Sequence, residues 1–313
     1  MTFIPIDQVR SSHTSRPSEV VGDAEQAQRS RRLPPWFKVK IRQGPDYQDI
    51  RRIMDTLGLH TICEEARCPN VWECWNSRTA TFLILGEICT RRCHYCAVTT
   101  GRPLPLDREE PLRVAQAVQS LGLKHAVITS VNRDELDDGG AGIFAETIRQ
   151  IRRLIPTCAV EVLIPDFEGN EAALATVVNE KPDILNHNIE TVRRLFPSIR
   201  PQGKYTRSIE LLGHAKRMGA RTKSGLIVGM GETLDEIREV MQDLCAVGCR
   251  IMTIGQYLQP TKKHLPVARF YHPDEFAMLK AEGLALGFHH VESGPLVRSS
   301  YHAEQQVSAH HGC

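Results

Sequence analysis

From residue 81 onward, short apolar runs rich in β-branched residues alternate with longer segments whose apolar positions recur at helical spacing. Residues 81–85, 126–131, 160–164, 184–189, 224–228 and 252–258 read as buried strands. The helices between and after them fall at 111–121, 143–154, 171–179, 209–218, 234–247 and 273–286. Thr233-Leu-Asp-Glu236 has the form of a capping box, Gly122, Gly219 and Gly248 stand where a helix ends, and Pro273 suits a first turn. Repeated strand–helix alternation implies a parallel sheet with right-handed crossovers. Six units are too few for a closed eight-fold barrel, so an open barrel and a doubly wound sheet both fit.

In either architecture reactive groups belong in the loops beyond the C-terminal strand ends. Polar or cysteine-rich segments follow five of the runs: 89–96, 132–138 before Gly139-Gly140, Glu190-Thr191, 229–232 and 259–264. The third run ends at Pro165-Asp166-Phe167. Upstream, residues 1–30 lack periodicity and read as a mobile arm. Residues 29–52 are basic around Pro34-Pro35-Trp36-Phe37: either a docking strip for an acidic partner or a solvated extension pinned by its aromatics.

Composition narrows the class. With 41% hydrophobic residues among 313 the chain has material for a sizeable core, and its net charge of +2 is no case for a protein that grips nucleic acid over its whole surface. The N-terminus has no apolar signal region and carries Asp7, Glu19, Asp23 and Glu25, and no apolar stretch approaches the ~18 residues of a membrane span. A cytoplasmic enzyme binding neither membrane nor nucleic acid is the expectation. In that reducing compartment ten cysteines point to metal or redox chemistry before disulfides.

Six of the ten form two triplets. Cys89-Thr-Arg-Arg-Cys93-His-Tyr-Cys96 follows the first strand, close enough for three thiolates to meet on one soft metal site. Three ligands leave one iron of a four-iron cubane open for chemistry. Zinc would want a fourth ligand, and His94 lies between the thiolates and not at a finger spacing. Cys63-Glu-Glu-Ala-Arg-Cys68-Pro-Asn-Val-Trp-Glu-Cys74 lies immediately upstream and is also one ligand short. Cys158, Cys245, Cys249 and Cys313 have no such spacing and read as bystanders.

The Cys89/Cys93/Cys96 pattern, with an aromatic before the last cysteine, resembles the radical S-adenosylmethionine enzymes. The second triplet, Thr129–Ala141, His187–Thr191, Arg200-Pro201 with Tyr205 and Arg207-Ser208, Lys223–Glu232, Gln256–Thr261 and Arg298-Ser-Ser-Tyr301 are similar to the lipoyl synthase family over nearly all the chain after residue 30. The resemblance implies an α/β fold, a partial (β/α)6 TIM-type barrel at 79–290, with an extension at 31–78 bearing the auxiliary cysteines and a strap at 291–313. It implies two 4Fe-4S clusters: one on Cys89, Cys93 and Cys96 that binds S-adenosylmethionine, and an auxiliary one on Cys63, Cys68, Cys74 and a serine of the Arg-Ser-Ser-Tyr motif, Ser300 in preference to Ser299.

The implied reaction inserts two sulfur atoms, at C6 and C8 of a protein-bound octanoyl chain, from the auxiliary cluster. Implied partners are an octanoylated lipoyl carrier domain or glycine cleavage H-type protein, a ferredoxin- or flavodoxin-type electron donor and an iron–sulfur carrier, with the enzyme a monomer. Candidate S-adenosylmethionine contacts at strand ends are Asn132, Asp134, Asn188, Glu190, Arg207 and Lys223, with close backbone approach at 229–232. Glu232 could equally sit beside the first turn of the helix that Thr233 caps. A biotin synthase-type enzyme would lack the upstream triplet and the Arg-Ser-Ser-Tyr tail. A two-cluster electron carrier or a zinc interaction protein would not need the long β/α framework.

Overall fold

The computed structural model describes residues 33–38, 44–66, 68–76, 79–303 and 306. The chain divides into two compact units, 1–37 and 38–313. In the first, the described residues form a single turn, Pro35–Phe37, closed by the Phe37 N–H donating to the Pro34 carbonyl at 3.1 Å. The arm at 1–30, part of the basic strip and the tail with His310, His311 and Cys313 lie outside the described residues.

The second unit is built on ten strands: β1 (His60–Thr61), β2 (Thr81–Ile84), β3 (Ile88–Cys89), β4 (Thr99–Thr100), β5 (His125–Ser130), β6 (Ala159–Leu163), β7 (Ile184–Asn186), β8 (Thr222–Val228), β9 (Ile251–Gln256) and β10 (His290–Gly294). Eight form one sheet in the order β1-β2-β5-β6-β7-β8-β9-β10, while β3 and β4 pair apart. Every neighbouring pair in the large sheet is parallel except β1 with β2. Spatial order therefore follows chain order without the reversal that defines a doubly wound sheet. Of the two architectures open to the sequence, the partial barrel is the one formed.

All six expected strands are present, and β10 adds a seventh parallel strand in register with β9, His290 opposite Ile251. Only Val291 of β10 is buried, so its polar-rich sequence carries little strand signal. The expected helices appear as Glu110–Leu121, Ala141–Leu154, Glu171–Val178, Tyr205–Arg217, Leu234–Ala246 and Pro273–Leu286. The capping box forms: Thr233 Oγ1 accepts the Glu236 N–H at 3.2 Å, and Glu236 Oε2 accepts the Thr233 N–H at 2.8 Å. An unexpected helix, Pro45–Leu57, occupies part of the basic strip. Its apolar face is narrow but buried: Tyr47, Ile50 and Met54 point inward, with Tyr47 stacked 4.7 Å from Trp72 and tilted 4.9 Å from Trp75.

Strands β2, β7 and β9 are buried throughout, as the middle of a sheet covered on both faces requires. One layer of the interior is charged. Lys223 Nζ lies 2.8 Å from Glu161 Oε1, and neither side chain has any solvent exposure. Burial alone would raise the Glu161 carboxyl, but Lys223 and His125 hold it below its ordinary value. Removing one partner leaves the other charge unpaired in the core. Glu161→Ala is expected to cost about 3–5 kcal/mol of stability in urea unfolding, and the double change Glu161→Leu, Lys223→Met to recover most of it.

Candidate functional site

A cavity of about 310 Å³ opens at the C-terminal ends of the strands. Cys89, Cys93 and Cys96 of the downstream triplet line it, together with Cys63 and Cys68 of the upstream one and Ser299 and Ser300 of the strap. Cys74 is half-buried in the helix Val71–Asn76 and does not line it.

The downstream triplet sits on a loop pinned at several points. Cys89 ends β3, its carbonyl accepting the Gly101 N–H at 3.0 Å, and the Cys96 N–H donates to the Cys93 carbonyl at 3.1 Å. Across the loop, the His94 N–H donates to the Ile199 carbonyl at 2.9 Å, and His264 Nε2 lies 2.9 Å from the Cys96 carbonyl. The Cys89 sulfur accepts backbone N–H bonds from Arg91 at 3.4 Å and Asn132 at 3.3 Å, which fix its position on the loop.

The tightest restraint is ionic. Arg91, 4% exposed, grips Asp134 through Nε and Nη2 at 2.7–3.0 Å and Asp166 through Nη2 at 2.7 Å. Arg207 closes the network on Asp166 at 3.1 Å. Against the effect of burial, Arg91 holds the Asp166 carboxyl well below the usual carboxylate range. Two strand-end loops are thereby fastened to the middle of the cysteine loop.

The upstream triplet is positioned from both chain ends. Thr61 caps the short helix Ile62–Glu65, accepting the Glu64 N–H at 3.3 Å, and the Cys68 N–H then returns to the Cys63 carbonyl at 2.9 Å. From the other end of the chain, the Leu296 carbonyl accepts from Asn70 Nδ2 at 2.7 Å, Ser300 Oγ from Thr81 Oγ1 at 2.9 Å, and Tyr301 donates to Glu73 at 3.2 Å. Gly255 makes room for this strap, since a Cβ there would stand 2.1 Å from the Val297 carbonyl oxygen.

Donor chemistry and polarity test what the cavity fits. Burial pushes the Cys63 and Cys96 thiols up to about 12, and raises Cys68 and Cys93, the latter two pulled back by Arg298 and Arg200 respectively. Thiols this buried ionise more readily when cationic charge is brought among them, which a metal cluster supplies. Asn188 Oδ1 and Arg200 Nε are buried on this cavity without a hydrogen-bond partner among the described residues. They call for a polar ligand. Glu190 is held at φ +68°, a strained geometry for a non-glycine residue, with its carboxyl half-buried on the cavity; burial raises it against the pull of Arg200, Asn188 and Arg298.

Of the six residues singled out for S-adenosylmethionine, Asn132, Asn188 and Glu190 line the cavity. Asp134, Arg207 and Lys223 do not, and this corrects their expected place. Asp134, on the loop after β5, and Arg207, in the helix Tyr205–Arg217, complete the Arg91 network, and Lys223 lies in the interior layer against Glu161. Glu232 turns back onto its own loop, accepting the Gly229 and Met230 N–H groups at 2.6 and 2.9 Å and the Tyr271 hydroxyl at 2.7 Å. Sequence reasoning passed over Arg91, Arg200 and Arg298 as site residues. Each stands in or beside a quoted motif, but a lone arginine gives no sign of whether it is buried.

A partial β/α barrel with three cysteines on the loop after its first parallel strand defines a radical S-adenosylmethionine enzyme, and residues 83–244 match the model of that superfamily. A maturase of the FeFe-hydrogenase shares the fold, with a TM-score of 0.54 at 13% identity over 93% of this chain and 77% of that one. Methylornithine synthase gives 0.51 at 14%, over 79% and 82%. Residues 6–68 match the N-terminal domain of lipoyl synthase. The lipoyl synthase of Rubrobacter xylanophilus is 60% identical over 93% of this chain and 91% of its own length, and that of Bacillus subtilis 56% over 88% and 94%. The chain belongs to the lipoyl synthase family, whose radical chemistry uses a 4Fe-4S cluster and S-adenosylmethionine.

Breaking the clamp should loosen the cysteine loop before it harms the barrel. Arg91→Ala leaves Asp134 without its partner and Asp166 with Arg207 alone, and is expected to cost about 3 kcal/mol, with the iron-to-protein ratio after anaerobic reconstitution falling well below that of the native chain. Arg91→Lys keeps the charge but not the two-pronged grip and should fall between them.

Proposed function

We propose that Cys89, Cys93 and Cys96 hold the 4Fe-4S cluster that binds S-adenosylmethionine, and that Cys63, Cys68, Cys74 and Ser300 hold a second, sulfur-donating cluster. The substrate is an octanoyl chain on a protein lysine, converted at C6 and C8 to the lipoyl group. The observation that carries this reading is the convergence of five triplet cysteines and the Ser299-Ser300 pair on one cavity. When bound, the first cluster supplies the electron that splits the sulfonium of S-adenosylmethionine.

The chain's own residues orient and enclose. Asn188 and Glu190 offer polar groups for the amino-acid or ribose portion of S-adenosylmethionine, and Asn132 reaches the Cys89 sulfur. Gly225 keeps that wall open, since a Cβ there would lie 2.7 Å from Asn188 Oδ1. Arg200, packed over Phe196 and donating to the Asn188 carbonyl at 2.9 Å, places a cation beside Cys93. Arg298 places another beside Cys68 and Glu190. The carrier is a lipoyl domain or H-type protein, a ferredoxin or flavodoxin supplies electrons, and an iron–sulfur carrier restores the second cluster.

Anaerobic reconstitution should load about eight irons per chain. Dithionite-reduced Cys68→Ala should still release 5′-deoxyadenosine from S-adenosylmethionine while inserting no sulfur into an octanoylated peptide, whereas Cys93→Ala should do neither, with both products followed by mass spectrometry. Equal loss of deoxyadenosine in the two variants would sink the division of labour. Ser300→Ala should lower sulfur insertion more than Ser299→Ala.

A further inference from the structure

The Gln256–Thr261 motif has no part in the division of labour between the two triplets, but the loop it opens returns to the cysteines. Of the three carbonyls in the downstream triplet, two are tied by backbone: Cys89 accepts the Gly101 N–H at 3.0 Å and Cys93 the Cys96 N–H at 3.1 Å. The third is held by a side chain. His264, 168 positions further along, places Nε2 2.9 Å from the Cys96 carbonyl oxygen. A carbonyl only accepts, so Nε2 carries the proton and donates.

The other side of the ring is fixed as well. Thr261 Oγ1 stands 2.8 Å from Nδ1 and accepts the Lys263 N–H at 3.2 Å, which leaves the hydroxyl proton for Nδ1. That arrangement sets the tautomer the Cys96 carbonyl requires. The His264 carbonyl accepts from Gln259 Nε2 at 2.8 Å, and its N–H donates to the Thr261 carbonyl at 3.0 Å. One residue on, the Leu265 N–H donates to the His94 carbonyl at 3.2 Å, and the Leu265 carbonyl accepts the hydroxyl of Tyr257, a cavity-lining residue, at 2.7 Å. The irregular loop between β9 and the helix Pro273–Leu286 is thus aligned by its own polar side chains and bonded to the cysteine loop at two points.

The Cys96 carbonyl belongs to the peptide plane that leads through Ala97 to Val98, and the Val98 backbone N–H bonds to the Cys96 sulfur, working against the effect of burial on that thiol. Hydrogen bonds to a ligating sulfur are among the levers that set the potential of an iron–sulfur cluster. A donor there offsets negative charge and favours the reduced state. We propose that His264, its tautomer set by Thr261, is a positioning residue for Cys96: it holds the turn that aims the Val98 N–H at the sulfur and so raises the potential of the downstream cluster. This rests on the proposed assignment of that cluster to Cys89, Cys93 and Cys96. His264 does not itself line the cavity, so it acts through the cysteine and not on S-adenosylmethionine.

An anaerobic redox titration of the reconstituted full-length protein tests this, with electron paramagnetic resonance following the cluster signal that changes when S-adenosylmethionine is added. His264→Ala is expected to move the midpoint of that signal to more negative potential and to alter its g-values. Release of 5′-deoxyadenosine per loaded cluster should fall about fivefold, the order of one lost hydrogen bond. The KM for S-adenosylmethionine should stay within about twofold. His264→Gln, whose amide can donate to the same carbonyl, should recover most of the midpoint, and Thr261→Val, which keeps the imidazole without its orienting hydroxyl, should fall between. A merely structural role would lower iron content and melting temperature together and leave the midpoint of the clusters that do load where it was. An unchanged midpoint in His264→Ala and Thr261→Val, or equal shifts in His264→Ala and His264→Gln, would overturn the proposal. Absence from the native protein of any signal that responds to S-adenosylmethionine would instead overturn the cluster assignment on which it rests.

Discussion

A guanidinium almost shut off from water remains in a folded protein only if carboxylates meet it, and the position of the cysteine loop follows from that constraint. Arg91 lies between the first two cysteines of its triplet, and its partners Asp134 and Asp166 stand on the loops after β5 and β6. Removing Arg91 would leave Asp134 without its partner and the buried Asp166 with Arg207 alone, so the three segments hold a common position. The charges that might have been spent on a ligand are spent on geometry. The cavity wall then carries thiols, Asn132, Asn188, a carboxyl at Glu190 that burial raises, and the guanidinium groups of Arg200 and Arg298.

The barrel supplies the floor and the two chain ends supply the lid. Parallel strands in chain order bring six loops to one rim, and that rim accounts for most of the cavity wall. The strap crosses at Gly255, where the missing side chain lets Val297 approach, and Arg298 and Ser300 are carried to the upstream cysteines. Positive charge at Arg200 and Arg298 sits beside Cys93 and Cys68 respectively, one cation near each triplet. Such placement favours anionic sulfur where burial alone would oppose it.

Much of this was legible in the sequence for a physical reason. Buried parallel strands must be apolar on both faces, and 81–85 or 252–258 show that without ambiguity. Loop chemistry at strand ends was legible too, because cysteine spacing is local. Three things were not. The Pro45–Leu57 helix hides its inward residues among charges, and β10 is polar because only one of its residues reaches the core. The fate of a charged side chain was the third: Asp134, Arg207 and Lys223 read as ligand contacts because they stand at or near strand ends, but alternation along β8 sends Lys223 inward, Asp134 pairs with Arg91 and Arg207 with Asp166. Ion pairing between residues more than forty positions apart leaves no local signature.

The strap has a consequence in time as well as in space. Its hydrogen bonds join residues 219 to 228 positions apart, so during synthesis the upstream cysteines emerge long before the residues that will lie over them. At roughly 5–20 residues per second a ribosome takes about 10–45 s to cover that distance. Throughout that interval Cys63, Cys68 and Cys74 belong to an unroofed segment, open to oxidants and stray metal ions. Synthesis of residues 296–301 is therefore the event that lets the strap close over the upstream cysteines.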